Sequence, residues 1–205
     1  NRNIKNFKKK KFTIPKYDKE ILIKETNLFS NWYVKKNLSK NNRAKFIKNF
    51  KKIIRKLTLK LKLGNNVFVH RDFHVSNLML SNNKIGVIDS QDALIGNRAY
   101  DLASLIDDVR LKTSKTLKNK IYKLYIGNQK ELNKYKFKND FEILSILRNL
   151  KIIGIFSRLA MRDNKKDYLK LIPYAWTLIN IRINENKIFL DLKKLLSQNF
   201  KGKIK

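Results

Sequence analysis

The stretch Val67 to Asp92, VFVHRDFHVSNLMLSNNKIGVIDSQD, constrains this chain more than any other, because it sets polar, metal-competent side chains at the ends of short apolar runs. Val67-Phe68-Val69 reads as a buried β-run that stops at His70. Leu78-Met79-Leu80 and Ile85-Gly86-Val87-Ile88 read as two strands of a hairpin, joined across Ser81-Asn82-Asn83-Lys84, residues that favour turns. Asp72, Asn77 and Asp89 then fall at loop and strand ends, where a hairpin brings together residues that are distant in sequence.

The spacing carries the chemistry. Asp72 and Asn77 are five apart in one loop and Asp89 closes the following hairpin, the pattern of an H-R-D-x-x-x-x-N segment followed by a metal-binding Asp. Phosphoryl transfer needs little covalent help from a protein. It does need a carboxylate aimed at the attacking hydroxyl, and oxygen ligands that hold Mg²⁺ against nucleotide phosphates. Asp72 suits the first role; Asn77 and Asp89 suit the second.

Three segments in order, HRDFHVSNLML, GVIDSQDALIGNRAYDLASLIDDVR and LRNLKIIGIFSRLAMRDNKKDYLKLIP, resemble the aminoglycoside phosphotransferase superfamily, and within it the N-acetylmuramate/N-acetylglucosamine anomeric kinases of cell-wall recycling. The resemblance runs from about Tyr17 to about Pro173. It implies the C-terminal lobe of a protein-kinase-like fold, α+β and mostly helical. It also implies ATP and Mg²⁺ as cofactors, and transfer of the γ-phosphoryl group to the anomeric hydroxyl of a small-molecule sugar. In that pattern Asp72 orients and deprotonates the hydroxyl, while Asn77 and Asp89 hold the metal. Asp101, in YDLASL, accepts hydrogen bonds from the catalytic-loop backbone, with His70 and Arg71 in the same supporting structure.

Two features depart from the family pattern. Where the subgroup reads I-D-F-Q-D-A, Ser90 replaces the aromatic beside Asp89. Kinase-like enzymes also carry an N-terminal lobe whose β-sheet covers the nucleotide and supplies a phosphate-contacting Lys, and nothing before Val67 reads as one. The expectation is therefore a C-terminal lobe without its partner lobe, with weak or no activity in isolation. Residues 1–16 would be a basic linker stump, 17–200 the phosphotransferase domain, and 201–205 a frayed tail.

Other candidates keep two readings each. Asp92 lies close enough to Asp89 to contact substrate or metal, and a turn-forming Asp explains it equally well. His74 either packs beneath the loop or touches substrate, whereas His70 reads as a structural histidine. Neither histidine has the partner spacing of a zinc site. Asp107 and Asp108 read as solvent-facing partners of nearby Lys, and the face carrying Arg148, Lys151, Arg158 and Arg162 as solvated rather than turned toward anionic substrate groups.

With 205 residues, 42% of them hydrophobic, the chain can bury one substantial core. The absence of Cys excludes a disulfide framework and a thiolate metal site, and fits a reducing, cytoplasmic compartment. No apolar run approaches the roughly 20 residues that a membrane span needs. A net charge of +32 would suit nucleic acid or an anionic membrane. Lys is spread through every segment, however, so solvated helix faces explain the charge and nucleic acid is not the expected partner. A non-catalytic binding module is a further alternative, but it would not require Asp72, Asn77 and Asp89 together. Within the enzyme class, aminoglycosides and choline-like alcohols stay open as acceptors.

Helical periodicity places a stripe of Ile21, Leu28 and Trp32 after an Asp18 cap, flanked by Leu22, Phe29 and Tyr33. A second, Lys-rich helix spans Lys40 to Leu63, with Phe46 and Phe50 as core rather than stacking platforms and Gly64 as its stop. Its apolar face would pack on the core rather than lie on a membrane. Further helices are expected at Arg98 to Leu111 and at Ser114 to Gly127 with Leu117, Ile121 and Leu124 in register. A long one is expected from an Asp140 cap, another at Tyr168 to Ile183 interrupted near Pro173, and a last at Lys187 to Leu196.

Overall fold

A computed structural model describes residues 4–7 and 10–204. The basic lead-in was expected to lack regular structure; within its described part, β1 (Ile4–Phe7) pairs antiparallel with β2 (Lys10–Phe12), while residues 1–3 and 8–9 lie outside the described residues. The Asp18 carboxylate accepts the Ile21 N–H at 2.9 Å and starts α1 (Lys19–Thr26). This helix runs on through a π-type segment at Phe29–Val34 and a last turn, α2 (Lys35–Asn37). The wider π turn rotates the apolar stripe. Leu22, Phe29, Tyr33 and Val34 become the buried face, and the expected Ile21, Leu28 and Trp32 are only half-buried.

Helix α3 (Lys40–Leu59) buries Phe46, Phe50, Ile54 and Leu57, so its apolar stripe is spent on the core. It stops well short of Gly64, and buried polar groups explain why. The backbone N–H groups of Lys62 and Leu63 both donate to the Asp140 carboxylate at 2.8 Å, and Asn139 Nδ2 takes the Lys60 carbonyl at 2.9 Å. These bonds peel the chain off the helix axis and feed it into β3 (Asn65–Val69).

β3 is not buried throughout: Val69 is covered and Phe68 faces outward. The hairpin β4 (Leu78–Ser81) and β5 (Lys84–Val87) has the expected register, with Leu78 opposite Val87. Asn82 (φ 48°) and Asn83 (φ 59°) supply the two left-handed residues of a primed hairpin turn. Instead of a loop through Gly96, the chain forms β6 (Leu94–Asn97), antiparallel to β3. Its other edge is held by Tyr17 N–H on the Ile95 carbonyl (2.8 Å) and Ile95 N–H on the Pro15 carbonyl (2.9 Å). A side chain at Gly96 would crowd Val69 and Tyr17 at 3.0 and 3.1 Å, which is why this strand contains a residue that reads as a loop former.

Helix α4 (Ala99–Ile106) ends earlier than expected, and α5 (Lys115–Gly127) is capped by Ser114. The inward face of α5 carries Lys118 and Ile126, whereas Leu117 and Leu124 are exposed. The long α6 (Lys134–Arg162) is capped by Asn133, not Asp140, which is fully buried inside it. A Cβ on Gly154 would stand 2.3 Å from the Leu28 carbonyl carbon, so α6 and the α1 extension cross backbone to backbone there. The run expected at Tyr168 to Ile183 is a 3-10 segment at Lys166–Leu171 followed by α7 (Ile172–Ile183), so the interruption falls near Pro173 as expected, with that proline in the first turn of α7. Helix α8 (Leu190–Asn199) closes the bundle, and the tail expected to fray is packed as far as Ile204: Phe200 and Ile204 are buried in the main core with Phe29, Phe46 and Trp176, while Lys205 lies outside the described residues. A second core joins Val69, Tyr100, Leu102 and Phe137. Among the described residues no helix is long and apolar enough to cross a membrane.

Candidate active site

The loop that leaves β3 is held from below. Asp101, in the first turn of α4, accepts the N–H of His70 at 2.7 Å and of Arg71 at 3.0 Å. Burial pushes its carboxyl above the ordinary aspartate range, against the pull of those two N–H groups. The His70 ring is buried, with Nε2 against the Ile88 carbonyl at 2.9 Å and Nδ1 without a partner among the described residues. One histidine thus joins the start of the loop to the end of the hairpin.

Arg71 occupies the left-handed region (φ 72°), a conformation that costs a non-glycine residue about 1–2 kcal/mol. Its guanidinium is fixed in three directions. Nη1 donates to the Asp92 carbonyl at 2.8 Å, Nη2 donates to Glu25, and the group lies 5.1 Å from the centre of the Tyr17 ring. Asp92 therefore enters through its backbone, and its side chain is exposed.

Glu25, on α1, went unnoticed in the sequence and is the centre of a buried cluster. It accepts from Arg71, from the Tyr17 hydroxyl, and from Lys151 Nζ at 2.9 Å. Burial alone would raise its carboxyl, but Lys151, Tyr17 and Arg71 outweigh it and hold Glu25 below the ordinary glutamate range. Burial opposes the charge of Arg71 as well, and Glu25 more than restores it.

Asp72 is half-buried at the mouth of the loop. Asn77 Nδ2 donates to its carbonyl at 2.9 Å, and the N–H of His74 donates to the same carbonyl at 3.0 Å. The Ile88 N–H then donates to the Asn77 carbonyl at 3.1 Å, which places Asp89 directly beside this circuit. Asp89 is exposed and left-handed (φ 68°), with Oδ1 accepting from Gln91 at 2.5 Å. Hydrogen bonds thus join Asp72 to Asn77 and Asn77 to Ile88, the residue before Asp89.

The donor set fits a hard divalent cation. Because the Asn77 amide nitrogen is engaged, its oxygen is the atom left to coordinate, and Asp89 retains Oδ2. Among the described residues, no group of three or more His, Asp and Glu could cage an ion unaided. Mg²⁺ is commonly bound by one or two carboxylates, with phosphate and water completing the octahedron. His74 is buried, and burial together with Arg110 pushes its ring below the ordinary histidine range.

Two expectations about charge are corrected. Asp107 and Asp108 do not face solvent: α4 stops at Ile106, so both turn back beneath it and are buried. Asp107 accepts from Arg182 Nε at 2.8 Å and Ser145 Oγ at 2.6 Å, with Lys118 at 3.4 Å. Asp108 accepts from the Val75 N–H at 3.2 Å and from Arg110. The α6 face is not uniformly solvated either: Arg148 is buried, Lys151 and Arg158 are half-buried, and Arg162 is exposed. Doubled acids after an apolar helix were the one sequence signal of the first network; Glu25 had none.

A model of the phosphotransferase enzyme family matches residues 13–129. The chain is 35% identical over 166 residues to an N-acetylmuramate/N-acetylglucosamine kinase of Neisseria meningitidis serogroup B, covering 78% of this chain and 50% of that protein. It is 30% identical over 190 residues to a Pseudomonas aeruginosa protein of the same name, covering 90% and 56%. The corresponding Caulobacter vibrioides protein is 32% identical over 120 residues, covering 56% and 33%. The chain spans about half the length of the first two of these curated relatives, and a third of the last.

Proposed function

The chain belongs to the phosphotransferase enzyme family, and on that premise we propose that it carries the catalytic centre of an ATP-dependent sugar kinase. The reaction is transfer of the γ-phosphoryl group to the anomeric hydroxyl of an N-acetylated amino sugar, N-acetylmuramate or N-acetylglucosamine, giving the sugar 1-phosphate. The observation that carries this reading is a pair of hydrogen bonds, from the Asn77 side chain to the Asp72 carbonyl and from the Ile88 N–H to the Asn77 carbonyl, since they tie the backbone of the proposed proton acceptor to that of the two proposed oxygen ligands, Asp89 following Ile88 directly.

In this mechanism Asp72 orients the acceptor hydroxyl and takes its proton as the oxygen attacks phosphorus. Asn77 and Asp89 hold Mg²⁺, which when bound neutralises charge on the phosphate oxygens. Asp101 and Glu25 keep the loop backbone fixed through His70 and Arg71, so Asp72 needs no rearrangement on binding. The β4–β5 hairpin leaves Leu80 (77%) and Ile85 (70%) open, and we read this apolar surface as the floor on which a nucleotide-covering lobe rests. The cytoplasm, where ATP is available, is the setting this reading requires.

The test is acceptor-dependent ADP release by the full-length protein, with N-acetylmuramate, N-acetylglucosamine, an aminoglycoside and choline compared at equal concentration. The amino sugars should support turnover and yield a 1-phosphate. Turnover with only the aminoglycoside or choline would overturn the acceptor assignment, and none with any alcohol would overturn the kinase reading.

A further inference from the structure

Leu117, Ile121 and Leu124 stand in helical register on α5, yet the fold leaves Leu117 43% and Leu124 58% exposed. Ile121 and Leu124 line a cavity of about 620 Å³ that α5 shares with α4 and β3. Leu105, Phe73 and Phe68 complete its apolar lining, and Phe68 is itself 47% exposed. A cavity of this size, lined by aliphatic and aromatic side chains with a few polar groups among them, is the usual form of a small-molecule site. Asp72, Asn77 and Asp89 do not line it, so it is separate from the proposed phosphoryl-transfer centre.

Two charged side chains line the cavity, and only one is satisfied. Both oxygens of Asp101 accept loop N–H groups, from His70 at 2.7 Å and from Arg71 at 3.0 Å. Arg98, half-buried and three residues earlier, makes no side-chain hydrogen bond or ion pair among the described residues. Its guanidinium keeps all its donors for an acceptor from outside. Tyr125 and Gln129 bring further donors to the same lining.

A cation without a partner in an apolar cavity is complementary to a molecule that has one carboxylate and an apolar body. The planar fork of Arg98 matches both oxygens of a carboxylate. The apolar body displaces water from Phe68 and Leu124, which face it now. A cationic ligand fits poorly, because the one acid in the lining is already taken by the loop. We infer that this cavity is a binding site for a medium-chain carboxylic acid, with Arg98 holding the carboxylate and Phe68, Phe73 and Leu124 holding the chain. The bound acid borders the catalytic loop at Phe73, the residue after Asp72, without entering the reaction site. The site does not depend on the sugar-kinase reading.

The test is calorimetric titration of sodium decanoate into the full-length protein at fixed ionic strength. Decanoate should bind saturably, and hexanoate at least about 10-fold more weakly, because each buried CH₂ contributes several-fold to affinity. Arg98→Gln should weaken decanoate about 10- to 100-fold, as expected for loss of a charge-assisted hydrogen bond. Leu124→Asp, at an exposed position, should weaken it at least about 10-fold by setting a like charge and a polar group in the lining. Lys123→Gln removes an exposed cation beside the cavity but outside its lining, and should leave decanoate binding at the parental value.

No saturable binding would overturn the inference. Equal affinity for hexanoate, or equal weakening by Arg98→Gln and Lys123→Gln, would do the same, since a chain of net charge +32 attracts any acid without a site. Melting temperatures are measured for each variant. If Arg98→Gln melts early, Leu124→Asp makes the comparison in its place, and parental affinity there would place decanoate elsewhere and overturn the inference.

Discussion

Asn77 donates its side-chain N–H to the carbonyl of Asp72 at 2.9 Å, so the residue read as a metal ligand also fixes the backbone of the residue read as the base. Asn77→Asp retains an oxygen ligand but loses the donor and sets a carboxylate against that carbonyl. A misplacement of this kind should lower kcat by about 100-fold. The Mg²⁺ concentration for half-maximal rate should move little in Asn77→Asp and rise in Asn77→Leu. Equal kcat in Asn77→Asp and parent would show that the hydrogen bond does not position Asp72.

Glu25 neutralises two cations, Arg71 and Lys151, at a site it shares with the Tyr17 hydroxyl. Glu25→Gln leaves both without a counter-charge, at a cost of about 3–5 kcal/mol in urea unfolding. The pH dependence has a definite sign. The folded carboxyl titrates below its ordinary value of 4.5, so its stabilising contribution is complete above that pH and is lost as pH falls through the lower folded value. The gap between parent and Glu25→Gln should therefore be widest at neutral pH and shrink below about pH 4.5. A gap that stayed constant down to pH 3 would contradict the assignment.

Asp107 holds Arg182 and Lys118 in the interior, with Ser145 completing its shell. Asp107→Asn should cost about 3–5 kcal/mol, since buried Lys118 loses its counter-ion and Arg182 keeps only Glu185, at 3.3 Å, among the described residues. Urea midpoints check it; a change under about 1 kcal/mol would mean that the pair is open to water, as exposed pairs are.

Gly154 and Gly127 make a matched pair for packing. Alanine at 154 would drive a Cβ to 2.3–2.5 Å from the Leu28 and Phe29 backbone, and about 3 kcal/mol or more of stability should be lost. Alanine at 127 meets nothing within 4 Å at the end of α5 and should be neutral or stabilise by about 0.5–1 kcal/mol. Similar melting temperatures for the two variants would refute the close crossing of α6 over the α1 extension.

The β4–β5 hairpin and the loop before it are legible in the residue order because their signals are local: an Asn-Asn turn, short apolar runs, and a fixed spacing from Asp72 to Asn77. The Asp18 and Ser114 caps are local for the same reason. Contacts made across the fold are not legible in this way. Asp140 looks like a helix cap, yet its partners are the N–H groups of Lys62 and Leu63, far back in the chain. Glu25 looks like one more helix carboxylate, and Asp107 like a surface acid, until tertiary packing brings Lys151 and Arg182 to them. Strand β6 escapes notice because its glycine is required by Val69 and Tyr17 and not by a turn.

The most direct test is single-turnover phosphoryl transfer from ATP to N-acetylmuramate by the full-length protein and its Asp72→Asn variant, with thermal unfolding and ATP binding measured alongside. Loss of a general base should slow the chemical step by about 10²- to 10⁴-fold while melting temperature and nucleotide affinity stay at parental values. A rate within a few-fold of the parent, with the fold intact, would show that Asp72 is not the proton acceptor.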